Sequence, residues 1–374
     1  MSTWDVIVIG LGGVGSAAAY HLAADGNRVL GLDQHPPAHA FGSSHGKTRI
    51  IRQAYFEHPS YVPMLQRAYQ LWGELEEQTD QRLFHRTGLV ELGPADGVVV
   101  PGVLRSAAEH GLDVEKLSAA EVSERWPGLV GQDDWQAVIE RDAGYLRVEA
   151  CVEAHLCCAR RASATLRHRE AVKNWRVDGS GVEVTTVAGV ERASRLVIAG
   201  GPWSGQILEG SGIPLRVRRK HQYWFSPQNA GYARRDGFPC FFHETPSGYF
   251  YGFPSIDESG VKVARHSGGT EIESTTPVHE SDPEDQSLVQ NYVREFLPGV
   301  GNHLHAQSGC YYTMTPDENF VIDTHPLHRE VTVIAGLSGH GFKFTSVLGE
   351  IACQVTTGRP TTYDLNLLGL SRWG

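Results

Sequence analysis

The spacing of apolar positions changes period several times along the chain. Residues 5–9 (Asp-Val-Ile-Val-Ile) form a β-branched run, which predicts a strand covered on both faces of a parallel sheet. Gly10-Leu-Gly-Gly-Val-Gly15 follows and opens an Ala-rich helical stretch from Ser16 to Ala24, stopped at Gly26-Asn27. A second buried strand, Arg28 to Leu32, ends at Asp33. Gln34 to Tyr55 reads as a loop with Pro36-Pro37. From Pro63 to Thr79, Leu65, Tyr69, Trp72 and Leu75 recur at helical spacing. Residues 81–144 mix strand and helix patterns. Val148 to Ala162 predicts a helix with Cys151 and Cys158 on one face as core thiols. Residues 171–198 predict antiparallel strands around Asp178, ending in a buried run that meets Gly200-Gly-Pro-Trp203. Residues 216–299 are rich in aromatics. Val331 to Ala335 predicts a strand, followed by a glycine loop and a helix through Ala352.

Strand–glycine elements thus occur near the start, middle and end of the chain. They predict an α/β fold with a discontinuous Rossmann-like nucleotide domain built from 1–80, 145–215 and 300–374. Residues 81–144 and 216–299 then form an antiparallel-sheet substrate domain.

Composition narrows the function. The 374 residues are 41% hydrophobic and 20% charged, which excludes a disordered chain. A net charge of -10 argues against nucleic-acid binding. The six cysteines form no C-x-x-C pair, so zinc ribbons and dithiol redox chemistry are not expected, and no metal site is. The run from Val6 to Ala19 lacks the basic flank of a signal peptide, and no stretch reaches the ~18 apolar residues of a membrane span. A cytoplasmic enzyme is the expectation.

The glycine motif carries the first chemistry. Gly10, Gly12, Gly13, Val14 and Gly15 would let a backbone approach a pyrophosphate at a helix N-terminus, and Asp33 would accept from ribose hydroxyls. The motif itself serves NAD or FAD. Its N-terminal position and the two later strand–glycine elements favour FAD, with Lys343 and a helix N-terminus near the flavin pyrimidine ring.

Five further stretches occur together: Ser43-Ser-His-Gly-Lys-Thr-Arg-Ile-Ile-Arg52, Tyr251-Gly-Phe-Pro254, Lys262 with His266, Cys310-Tyr-Tyr-Thr-Met-Thr-Pro-Asp317 and Gly336-Leu-Ser-Gly-His-Gly-Phe-Lys343. In this order the chain resembles the monomeric sarcosine oxidase family of flavin-dependent amine oxidases. Leu92-Gly-Pro-Ala-Asp96, Arg125-Trp-Pro127 and Val347-Leu-Gly-Glu350 resemble members acting on N-methyl-L-tryptophan. The resemblance implies FAD attached covalently through Cys310, by a thioether to the flavin 8α-methyl. Ser43, Ser44, His45, Thr48, Arg49, Val172, Gly201, Gly339, His340, Gly341, Phe342 and Lys343 would complete the cofactor site. Arg52 and Lys343 would clamp a substrate carboxylate, with Tyr312 beside them. Tyr251 and His266 would line the substrate side, His45 and Arg49 would sit near the flavin, and Lys262 would activate oxygen. The implied reaction converts an N-methyl amino acid and molecular oxygen to the amino acid, formaldehyde and hydrogen peroxide, in a monomer. Lys47 departs from the family, which usually has an acidic residue there. Other readings are a sarcosine oxidase, a biosynthetic cyclic-amine oxidase, an NAD-dependent dehydrogenase and a non-catalytic flavoprotein subunit.

Overall fold

The computed structural model describes residues 4–179, 181–229, 231–273 and 282–373. Among them the strands fall into three sheets of eight, nine and three strands. The first has a parallel core in the order His328–Ala335, Val190–Ile198, Trp4–Ile9, Val29–Asp33 and Thr165–His168. Period-2 alternation sends Val6 and Val8 to one face and Ile7 and Ile9 to the other. The first face is covered by helices Gly13–Ala24, Val62–Thr79, Val148–Arg161 and Thr345–Thr357. The second meets the antiparallel hairpin Val172–Asp178 and Gly181–Thr186. Burial on both faces explains why the first strand is apolar without a break. Cys151 and Cys158 lie in this core, as their spacing predicts.

The second sheet is mostly antiparallel and runs from Thr270–Ile272 through Arg216–Pro227, Val261–Arg265, Gly248–Phe253, Cys240–Thr245, Leu89–Pro94 and Trp135–Glu140 to Glu115–Ser118. Helix Pro283–Phe296 packs on one face against Tyr223, Phe225, Phe241 and Phe250. The opposite face presents Phe242, Tyr251 and Phe253.

Two features differ from the sequence pattern. The segment expected as a loop contains the short strand Thr48–Ile51, which joins Gly144–Arg147 and Phe84–Arg86 in the third sheet. The segment starting at 300 does not open in the nucleotide domain. Val300–Met314 pairs along its length with Arg216–Pro227 and so belongs to the second sheet. The chain returns to the first sheet only at Val321–His325.

Candidate active site

A cavity of about 390 Å³ runs from the first glycine loop to the face of the second sheet that carries Phe242 and Tyr251. At one end stands the turn after the first strand. Gly10 has φ +87°, and a Cβ there would lie 2.4 Å from the Ala199 carbonyl oxygen. A Cβ on Gly15 would lie 1.7 Å from the Gly10 carbonyl oxygen. Only glycine permits this closeness of helix to strand. Gly12 caps the helix without a side-chain hydrogen bond of its own, so that beyond the Gly13 amide the first-turn amides are left to a ligand. Asp33 accepts from the Leu11 amide at 2.7 Å and the His35 amide at 2.8 Å while still lining the cavity. Ser44 accepts from the Gly13 amide at 3.1 Å, and Ser43 donates to the Tyr311 carbonyl at 2.6 Å. Val14, Val172, Gly201, Gly339, His340, Gly341 and Phe342 also line this space. The cradle, the free helix end and the acid at the second strand fit the pyrophosphate and ribose of a dinucleotide.

Cys310 is buried and is not among the lining side chains. It shares a strand face with Tyr312, which does line the cavity, and the two cluster with Met314. Glycine φ at 339 is +83°, and a Cβ there would strike the Tyr312 ring at 2.3 Å.

The other end of the cavity is crowded with charge. Arg52 is buried between the Tyr55 and Phe56 rings, each 4.4 Å from its guanidinium carbon. It donates to both Glu57 oxygens at 2.8 and 3.0 Å and to the Ala54 carbonyl at 3.0 Å. Its other side faces Glu91 at 3.3 Å. Burial opposes the Arg52 charge, but these two carboxylates outweigh it and raise its pKa. Burial pushes Glu91 up to about 8 despite Arg52, and neither of its oxygens has a hydrogen-bond partner. Lys343 lies in the 3-10 turn Phe342–Phe344, ahead of the helix, and donates to the His340 carbonyl at 2.7 Å. Burial, then the nearby Arg52, lowers it to about 7.

Around these cations stand Tyr251, His266, Phe242 and Tyr312. His266 is 3.4 Å from the Tyr312 hydroxyl, and burial lowers its pKa to about 3, so it is neutral. Burial raises Tyr251 to about 12. Among the aromatics of 216–299 and of the strand after it, Phe242, Tyr251, Tyr311 and Tyr312 line the cavity, whereas Tyr223, Phe225, Phe241 and Phe250 pack in the second sheet's core.

Arg49 lines the cavity and donates to the Thr48 and Ser43 carbonyls at 2.8 and 2.9 Å. Among the described residues it has no carboxylate partner. His45, Thr48 and Lys262 stand behind this turn rather than in the cavity lining. His45 contacts the Gly42 carbonyl at 3.1 Å, and burial together with Arg49 lowers it to about 4. Lys262 donates to the Gly46 carbonyl at 2.7 Å and to the carbonyl and hydroxyl of Thr48 at 3.0 and 3.3 Å. Burial, then Arg49, depresses its pKa, and these three oxygens hold its amine in place behind the turn. Lys47 points away and pairs with Asp257 at 2.7 Å, so its charge is neutralised at the surface.

Sequence reasoning missed Glu57 and Glu91. The signal for Glu91 was a lone charge inside the apolar run Leu89-Val-Glu-Leu92 of a strand buried on both faces. For Glu57 there was none.

Residues 5–355 match the model of the FAD-dependent oxidoreductase family. The chain is 43% identical to monomeric sarcosine oxidase of Streptomyces avermitilis, covering 98% of this chain and 96% of that one. It is 39% identical to N-methyl-L-tryptophan oxidase of Salmonella enteritidis, covering 99% of each. Among solved structures it is similar to NikD, an unusual amino acid oxidase essential for nikkomycin biosynthesis, with a TM-score of 0.86, 25% identity and 99% and 98% of the two chains covered. The glycine cradle and the full-length matches lead to one assignment: the chain belongs to the FAD-dependent oxidoreductases, as a flavin-dependent amine oxidase of the sarcosine oxidase family.

Proposed function

We propose that the protein oxidises the N-methyl group of an N-methyl amino acid, of the N-methyl-L-tryptophan type, yielding the amino acid, formaldehyde and hydrogen peroxide. The observation that carries this reading is the pair of buried cations, Arg52 and Lys343, at the aromatic-walled end of a cavity whose other end is a dinucleotide cradle. FAD, which the Gly10–Gly15 turn and Asp33 would hold, would supply a two-electron acceptor for the carbon beside the substrate nitrogen, with oxygen as the final acceptor.

The protein's own residues orient and exclude. The planar guanidinium of Arg52 suits a carboxylate bidentately, and Lys343 adds a point charge. Neutral His266 and the Tyr251 hydroxyl face the amine without repelling it. Phe242, Tyr251 and Tyr312 offer flat apolar walls for a bulky side chain. Lys262 and Arg49 hold fixed positive charge close by, which favours negative charge developing during oxygen reduction. Cys310 is the thiol proposed to carry the flavin as a thioether, and the protein is proposed to act as a cytoplasmic monomer.

A substrate panel read by peroxide release tests the reading. kcat/KM should be highest for N-methyl-L-tryptophan, then N-methylalanine, then sarcosine. The identity to the Streptomyces enzyme favours a second reading, sarcosine oxidation, and preference for sarcosine would establish it. A cyclic secondary amino acid belongs in the same panel. Acid precipitation should leave the yellow colour in the wild-type pellet and release it from Cys310→Ser. Flavin in the wild-type supernatant would refute the linkage.

A further inference from the structure

A second cavity, of about 470 Å³, lies among the Phe84–Arg86 strand, the end of helix Ala119–Arg125 and the turn Arg234–Asp236. Although the chain carries a net charge of -10, six arginines line this one hollow. Arg125 and Arg141 share Glu115 at 2.6 and 3.0 Å, and Arg235 lies 3.7 Å from Asp236. Arg82, Arg86 and Arg234 have no carboxylate partner among the described residues.

A buried histidine gives an independent observation. His85 is 8% exposed and lines the same cavity. Its Nδ1 lies 2.7 Å from an Arg234 nitrogen. A guanidinium only donates, so Nδ1 accepts and the ring proton sits on Nε2. That buried Nε2–H has no partner. Burial, then Arg234 and Arg82, lowers the His85 pKa to about 4, so the ring brings no positive charge of its own. The Gly237 carbonyl, which also lines the cavity, accepts from the Trp126 indole at 3.2 Å. The side chains left over are donors, and most carry positive charge.

We propose that this cavity binds a multiply charged phosphate anion of small-molecule size. Guanidinium forks match phosphate oxygens bidentately, and Arg82, Arg86 and Arg234 are the forks without a carboxylate among the described residues, with Arg234 held in place by the His85 ring. The shared chemistry is a diphosphate, free or carried by a nucleoside. Trp126, half-buried with the Arg125 guanidinium 5.3 Å from its ring, would stack a base only in the second case.

The test is calorimetric titration of the flavin-loaded protein with inorganic pyrophosphate and with ADP. Pyrophosphate should bind and weaken as salt rises. Arg86→Gln/Arg234→Gln should reduce its affinity roughly ten- to hundred-fold, as expected for losing two solvent-screened charge contacts of roughly three- to ten-fold each. Arg82→Gln/Arg86→Gln alters two exposed side chains, leaves the His85 contact intact and should reduce it as well. ADP binding more tightly than pyrophosphate would identify a nucleotide as the source, and equal affinity a free phosphate. Absence of pyrophosphate binding, or binding unchanged in both double variants, would overturn the proposal.

Discussion

The two ends of the cavity that starts at the first glycine loop are built on opposite principles. At the glycine end the polar side chains are tied to backbone groups: the two Asp33 oxygens take the Leu11 and His35 amides, and Ser44 takes the Gly13 amide. At the other end charge faces charge: Arg52 is shared by Glu57 and Glu91, Lys343 is close by, and Glu91 has no hydrogen bond at all. The first end is a rigid mould. The second is an electrostatic balance that a carboxylate ligand would disturb. Steric changes should therefore dominate at one end, and charge and pH at the other.

The largest effect is expected in the mould. Gly15→Ala places a Cβ where the Gly10 carbonyl oxygen already stands, so purified protein should lack flavin altogether. The ratio of flavin absorbance to protein reads this, and normal loading would show that the turn yields. Next comes the buried lysine behind Arg49. Lys262→Met should slow flavin reoxidation by roughly 10²–10³ while changing anaerobic reduction by substrate much less. Stopped-flow spectroscopy separates the two half-reactions, and an unaltered oxidative phase removes Lys262 from oxygen chemistry.

At the charged end, Arg52→Lys keeps the charge but loses the fork shared with Glu57. Loss of roughly 1.5–3 kcal/mol of binding should lower kcat/KM about ten- to hundred-fold for carboxylate substrates. An unchanged kcat/KM would mean that Arg52 serves Glu57 and Glu91 alone. The smallest effect is expected for Glu91→Gln and appears only with pH. The folded-state pKa of Glu91 is raised to about 8 from 4.5, so the stability it lends is full below pH 4.5 and is lost as pH rises to 8. The variant should thus gain ~1–2 kcal/mol over wild type at pH 8.5 and little at pH 5. Thermal melts at the two pH values measure it. Lys343, lowered to about 7, sheds its charge over part of the same range, so KM for a carboxylate substrate should rise above pH 7.

The contrast also explains what could be read from the sequence. Backbone-built features leave local marks, so the first strand, Gly10 to Gly15, Asp33 and the final glycine loop stand where the pattern predicts. Lys343 does line the cavity, though from a 3-10 turn rather than the helix. The charged end joins residues far apart in the chain, such as Arg52, Glu91 and Lys343, and no local period encodes their meeting. The placement of Val300–Met314 escaped for a similar reason. A strand's partner is set by long-range pairing, and here one edge strand extends the second sheet before the chain crosses back.

That strand has a mechanical consequence. Cys310 sits on it opposite Lys220, within the second sheet, while the glycine cradle grows from the first. A flavin bonded to Cys310 and gripped by the Gly10–Gly15 turn would be a crosslink between two sheets. Such a molecule cannot open like a hinge without straining its own cofactor. Entry and exit of substrate would then fall to local loop movement, and Cys310→Ser would free a rigid-body motion that such a linkage would forbid.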